Sequence, residues 1–328
     1  MKTLHAVLLS TGLVAAIGGA VAYAGYRAYL HTLDSVARAA VDSPRKPDPA
    51  AQARTERAAE ALLASLRPRL AASERPVRHI ALTAMAQDER KASKVGGVAY
   101  WAAGRDYPRD PDGRPLVLLA QVDLAEARLD GAPQQGLLQF FISDRGDYYG
   151  ANFDDPKHDG MDALRQPLGF RVVHWPDTGA PALAPPTSPA QPADEQRLPF
   201  DPTQPRRMRF VAGRESLGSN DAGWPAAMGG ALDERVEAYV RAHPGQDSDA
   251  LNDALFETLS RSGHKFGGHP DFTQSDPREA GDRQVLLLQL DSDEDMMWGD
   301  SGIANFFIDP DDLERGEFGR VAYHWDCY

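Results

Sequence analysis

The sequence predicts an α+β chain: two related β-rich subdomains packed as a pseudo-dimer, preceded by an N-terminal transmembrane or signal helix. Three observations carry this reading. Four sequence blocks recur in the same order in the two halves of the chain. Most of the blocks are short aromatic and aliphatic runs bounded by Gly and Asp, the composition of strands. The chain opens with a long run that holds no charge.

That run, Ala6 to Tyr26, is 21 residues long. About 20 apolar residues suffice to cross a bilayer as a helix. Lys2 precedes it, Arg27 follows it, and Ala22-Tyr23-Ala24 resembles a signal cleavage site. Residues 1–30 therefore read as a signal anchor, or as a signal peptide cleaved after Ala24. Arg27, Arg38, Arg45 and Lys46 beyond the run favour a cytoplasmic body by the positive-inside rule. The order of charge, apolar run and small residues favours an extracytoplasmic one, which we prefer.

Residues 31–76 read as linker and amphipathic helix. Pro44, Pro47 and Pro49 mark an extended spacer. Ala59, Leu62, Leu63, Leu66 and Leu70 recur at helical spacing from about Gln52 to Ala71, with Pro68 troubling the last turn.

The body spans 77–328. Repeat one, about 77–177, holds an alternating strand at Arg78–Ala84, then Lys94-Val95-Gly96-Gly97, LVLLAQVD (116–123), GLLQFFIS (136–143) and FRVVHWPD (170–177). A linker with eight prolines, 178–205, follows and is expected to run over the surface with little regular structure. Repeat two, about 206–328, holds two helices, one through Leu232, Val236, Tyr239 and Val240, the other through Leu251, Ala254, Leu255 and Leu259. It then repeats the blocks: Lys265-Phe266-Gly267-Gly268, VLLLQLDS (285–292), GIANFFID (302–309) and GRVAYHWD (319–326).

Composition narrows the function. The formal charge is −13, divided as +5 over residues 1–92 and −18 over 93–328. An acidic body repels phosphate backbones, which argues against nucleic acid and is compatible with a basic protein partner. One cysteine, Cys327, excludes an internal disulfide framework and a Cys-based zinc site.

The run from Gly263-His264-Lys265-Phe266-Gly267-Gly268-His269-Pro270 through LLLQLDSDEDMMWGDSGIANFFI (286–308) to the terminal Tyr323-His324-Trp325-Asp326 resembles the YwqG-like family, as do Ser93–Gly97 and GLLQFFI in the first half. The resemblance covers about 77–328. Residues 1–76, the long proline-rich linker, and Val98-Ala99-Tyr100-Trp101, where the family tends to carry a proline, depart from it. It implies a duplicated α+β fold and no established catalytic activity. Some members resemble, in gene setting, proteins that neutralise partner toxins.

Four groups of residues carry candidate chemistry. Lys94 with Gly96 and Gly97, and Lys265 with Gly267 and Gly268, form turns that suit either an anion or plain turn geometry. Gln121 with Asp123, and Gln289 with Asp291, lie at alternate strand positions, facing each other across a cleft between the halves or fixing strand register. Asp291, Asp293, Glu294 and Asp295, running on to Trp298 and Asp300, form the most acidic stretch. Residues 288–315 hold nine acids and one base. A basic partner would dock there with Trp298, Met296 and Met297 as anchors. No cofactor is expected; the acids leave a divalent cation as the lesser alternative, since Met296 and Gly302 break the EF-hand pattern. His264, His269 and His324 lack zinc-site spacing. The reading is therefore a membrane-tethered, non-enzymatic binding module. The alternative is an enzyme or a small-ligand or cation binder working in the cleft.

Overall fold

The computed structural model describes residues 48–328 apart from 147, 154, 185 and 187–196, so the apolar run Ala6–Tyr26 lies outside the described residues. Among the described residues no helix is long and apolar enough to cross a membrane. The chain divides into two compact units at Arg54/Thr55. In the first, Asp48 accepts the Ala50 N–H at 3.0 Å and so caps the start of helix α1, Pro49–Ala72. The rest concerns Thr55–Tyr328.

Among the described residues ten strands form one antiparallel sheet. They are β1 (Arg75–Ala84), β2 (Lys94–Val95), β3 (Val117–Asp123), β4 (Leu137–Ile142), β5 (Phe170–Trp175), β6 (Arg206–Glu215), β7 (Lys265–Gly267), β8 (Val285–Asp291), β9 (Ile303–Ile308) and β10 (Ala322–Asp326). Their order is β10-β9-β8-β7-β1-β6-β2-β3-β4-β5. The expected pair of separate subdomains is thus replaced by a continuous sheet. The ten-residue strands β1 and β6 pair along their whole length at its centre. β1 then pairs outward with β7, and β6 with β2, so each half's first strand joins the other half. The exchange gives each of the two longest strands a short partner on its second edge, three residues of β7 on β1 and two of β2 on β6.

The two wings share their register. Lys94 stands opposite Gln121, and Gln121 opposite Gln139; Lys265 stands opposite Gln289, and Gln289 opposite Asn305. Irregularities fall at Leu118/Ala120 and at Leu286/Leu288. Such bulges sharpen strand bending, and the sheet curls until it nearly closes. Phe140 of β4 meets Phe306 of β9 at 4.9 Å, and Phe170 of β5 meets Tyr323 of β10 at 5.4 Å. The core lies inside this curl, where Leu119, Val122, Leu138, Leu288, Leu290 and Ile308 are buried with these rings. Phe200, near the end of the proline-rich linker, is buried in the same core, while Arg197, Asp201, Thr203 and Gln204 around it are exposed.

The outer faces of the wings are covered by loops. Trp101 packs on Phe141 and Trp175 in the first. Phe272 packs on Phe307 in the second, with Met161 and Leu164 of helix α3 (Gly160–Leu164); α2 is the single turn Leu124–Ala127. Helix α1 continues through Pro68 and packs Ala58, Ala59 and Leu66 against α4 (Trp224–Met228), α5 (Leu232–Ala242) and α6 (Ser248–Leu259). This helical layer is a second core, and α7 (Pro310–Arg315) precedes β10. Antiparallel sheet and segregated helices make the fold α+β.

A buried ion cluster ties the helical layer to the sheet. Arg278 Nη2 donates to Asp221 at 2.9 Å and to Asp276 at 2.6 Å. His269 donates through Nε2 to the Ser73 carbonyl at 2.9 Å, while its Nδ1 lies 3.7 Å from Asp221. Burial alone would raise the Asp221 carboxyl, but His269, Arg278 and the Gly223 N–H outweigh it and hold the group at about 2. The folded value lies below the unfolded one, so the stabilisation is present above about pH 4 and is lost as pH falls toward 2. The Asp221→Asn variant is expected to lose about 2–3 kcal/mol at pH 7. Its urea midpoint should also depend less on pH between about 4 and 2 than the parent's.

Candidate functional site

The two Lys-x-Gly-Gly turns do hold anions, but the anions belong to the chain itself. Lys94 is fully buried and its Nζ pairs with Asp88, while also donating to the Val98 carbonyl at 2.8 Å. Lys265, equally buried, pairs with Glu215 at 3.0 Å and donates to the Arg261 carbonyl. Each carboxylate also accepts a backbone N–H just past the glycines: Val98 to Asp88 at 2.6 Å and His269 to Glu215 at 2.7 Å. The second glycine of each turn makes room for that carboxylate. A Cβ on Gly97 would stand 2.8 Å from Asp88 Oδ2, and one on Gly268 would collide with Glu215. Both glycines sit at positive φ (+70° and +80°). Burial lowers both lysines from their ordinary value, against the pull of their carboxylates. An external anion at either lysine is excluded, because the ammonium is enclosed and neutralised.

Gln121 and Gln289 do not face each other across a shared cleft. Their neighbours in the strand, Val122 and Leu290, point into the curl, so both glutamines and the flanking Asp123 and Asp291 point outward, on opposite wings. Each glutamine stitches its own turn to the sheet. Gln121 Nε2 donates to the Arg90 and Ala92 carbonyls at 3.0 and 2.9 Å, and its Oε1 accepts the Tyr100 N–H. Gln289 Nε2 donates to Arg261 and Gly263 at 2.9 and 2.8 Å, and its Oε1 accepts the Asp271 N–H. Asp123 caps α2 through the Ala125 N–H.

The acidic loop is split between fold and surface. Asp293 receives Arg206 Nη1 at 2.9 and 2.7 Å and His264 Nε2 at 2.9 Å, so it is spent on internal cations and donors. Trp298 and Met296 are core residues and anchor nothing outside. Glu294, Asp295, Asp300 and Met297 are exposed. Among the described residues no three His, Cys, Asp or Glu side chains converge as a metal site. His264 accepts the Asp291 N–H through Nδ1, and His324 lies against the Phe153 and Phe272 rings.

What the second wing does assemble is a polar groove of about 330 Å³, walled by Asp271, Asp291, Glu257, Asn220, Phe256 and Tyr328. Helix α6 supplies Phe256 and Glu257, β8 supplies Asp291, and the loop after the Gly-Gly turn supplies Asp271. Asp271 is buried; it accepts Ser260 Oγ and the Arg261 N–H at 2.6 Å each, and Asn220 Nδ2. Asp291 accepts the Gly263 and Ser292 N–H groups at 2.6 and 2.7 Å. Burial nevertheless raises its carboxyl above the ordinary value, with Asp271 adding to the effect. No Lys, Arg or His lines the groove. Phe256 and Tyr328 at its rim are 47% and 79% exposed, apolar surface beside these carboxylates.

Of the residues singled out in the sequence, only Asp291 belongs to this groove. Asp271 escaped notice, yet it carries a signal: it lies six residues after Lys265, where the first half has Tyr100 six after Lys94. The wings are thus alike in scaffold and different here.

The chain belongs to the family described as Domain of unknown function (DUF1963), whose model matches residues 93–327, more than two thirds of its length. No curated protein matches the chain.

The lysine pairs are testable as scaffold. Lys265→Met strands the Glu215 charge in a site where that side chain is 10% exposed. It is expected to lower stability by about 3–5 kcal/mol. Lys265→Met with Glu215→Gln should recover part of that loss in urea denaturation, because no buried charge is then left alone.

Proposed function

We propose that this DUF1963 protein is a binding module whose acidic groove receives a cationic group, a lysine or arginine side chain, from a basic protein partner. The observation that carries the reading is the composition of the groove: three carboxylates, no basic side chain, and exposed aromatic rings at the mouth. A guanidinium or ammonium arriving there would meet acceptors already in place, while Phe256 and Tyr328 would cover its aliphatic stem. The raised Asp291 carboxyl fits a site that awaits a cation. A toxin with a basic surface is one partner of this chemistry. Residues 6–26 would hold the module at a membrane, or direct its export with cleavage after Ala24.

We also infer that the wings descend from a duplication with exchange of their first strands. In its support, each glutamine donates to the carbonyls four and two residues before its lysine, Arg90 and Ala92 before Lys94, Arg261 and Gly263 before Lys265. On that view the second wing kept the scaffold and acquired Asp271, which makes the groove. The enzyme alternative rests on one feature: a raised carboxyl beside a second carboxylate is an arrangement used for acid–base work.

The full chain titrated with a peptide of alternating arginine and leucine should bind saturably, and more weakly as salt rises. Asp291→Asn with Glu257→Gln should lower the affinity at least about tenfold. Asp295→Asn, on the loop outside the groove, should leave it unchanged. Equal binding of the peptide with glutamate in place of arginine would sink the proposal.

A further inference from the structure

The largest cavity among those described has the opposite character. It measures about 600 Å³ and lies where β5, the sheet's edge strand, faces the Gly316–Gly319 turn after α7. Its walls include Trp101, Phe318, Arg105 and Arg171, with Asp106 as the acidic member. In a body of charge −18, two arginines against one aspartate make a local reversal of sign.

Arg171 is the informative residue. It shares the outer face of β5 with Val173 and Trp175, by strand alternation. It is half-buried, and burial lowers its guanidinium from the ordinary value. Most buried or half-buried arginines here are matched: Arg206 by Asp293, Arg278 by Asp221 and Asp276, Arg261 by backbone carbonyls. The Arg171 side chain makes no hydrogen bond and no ion pair among the described residues, while its backbone pairs with β4. Taking a guanidinium partly out of water without a partner costs stability and returns nothing to the fold.

Arg105 lines the same cavity with a fixed backbone. The Trp101 indole donates to the Arg105 carbonyl at 3.0 Å, and the Arg105 guanidinium lies 4.7 Å from the Trp175 ring centre. Its Nη1 donates to the His174 carbonyl at 2.7 Å, which leaves further N–H groups of the fork for another acceptor. Trp101 and Phe318, each only 5% exposed, give the cavity flat apolar walls.

We infer that this cavity binds a small organic oxyanion, a carboxylate or phosphate ester carried on a flat apolar group, with Arg171 and Arg105 as the anion fork and Trp101 and Phe318 against the apolar part. Guanidinium groups match carboxylate and phosphate oxygens in pairs, which an ammonium does not. The site is separate from the acidic groove and does not depend on that reading. A rival role for Arg171 is to guard an exposed edge strand against pairing with other chains.

Thermal unfolding of the full chain separates the two. Benzoate and phenyl phosphate should each raise the midpoint in a concentration-dependent way, benzamide should not, and the stronger of the two oxyanions identifies the head group. Acetate and inorganic phosphate, which lack the flat group, should act more weakly. Arg171→Met should lower affinity for the stronger probe at least tenfold while leaving the unliganded midpoint equal to or above the parent's. Arg171→Lys, which keeps charge and loses the fork, should also bind more weakly than the parent, and it decides the matter should the methionine variant fold poorly. Absence of any shift with both aromatic oxyanions overturns the inference. So does an unchanged shift in Arg171→Lys, or self-association of Arg171→Met with its probe affinity intact.

Discussion

Each wing of the sheet is organised around an ammonium that has been taken out of water. Lys94 and Lys265 are held by Asp88 and Glu215, and neither charge is tolerable without the other. The rest follows from where the carboxylate must sit. It occupies space that any Cβ on the second glycine would fill, and its spare lone pairs take the backbone N–H that leaves the turn. The turn is thereby fixed in direction, the following loop is laid over the outer face, and Gln121 or Gln289 clamps what remains. A pair of this kind contributes little net stability, but it permits few alternatives, and here it specifies the path of about six residues on each wing.

The curl is filled by Phe140, Phe170, Phe306 and Tyr323. The outside of the wings, where the covering loops differ, carries the two pockets proposed as sites. The first wing covers itself with Trp101 and Tyr107, and the second with Asp271 and Phe272. The pocket on the first wing is thus lined by Trp101, Phe318 and arginines, and the groove on the second by carboxylates. The two pockets thus differ in the charge of their linings on wings that share one register.

Strands β3, β4, β8 and β9 are legible in sequence because burial on both faces leaves near-continuous apolar runs. Helices α5 and α6 are legible because Leu232, Val236, Leu251, Leu255 and Leu259 keep a helical period against one core. β6 is not: Arg206, Arg207, Arg209 and Arg214 mask the alternation of Met208 and Phe210. The exchange of β1 and β6 is invisible to any local pattern, since partner choice is settled between residues more than a hundred positions apart. The lysine turns announce themselves as anion sites, and chemically they are. That the anion is internal depends on Asp88 and Glu215, one 6 and the other 50 residues upstream of its lysine, and no motif links them. Of the groove, Asp291 could be named from the strand, whereas Asp271 shows only as a mismatch between the halves.

The exchanged strands also bear on how the protein is made. β1 leaves the ribosome early, but β6, with which it pairs along its whole length, is some 120–140 residues behind it. At ~5–20 residues per second the wait is on the order of 6–28 s. Throughout that time the first half cannot complete its own sheet, because the strand that flanks β2 is β6 and not β1. The nascent chain therefore presents an unpaired ten-residue strand with Val77 and Ile80 uncovered, the kind of edge that pairs with other chains. Contacts of such long sequence separation fold slowly. Synthesis, and not the stability of the finished fold, is then the stage at which this architecture is most exposed to aggregation, and at which a chaperone would have most to protect.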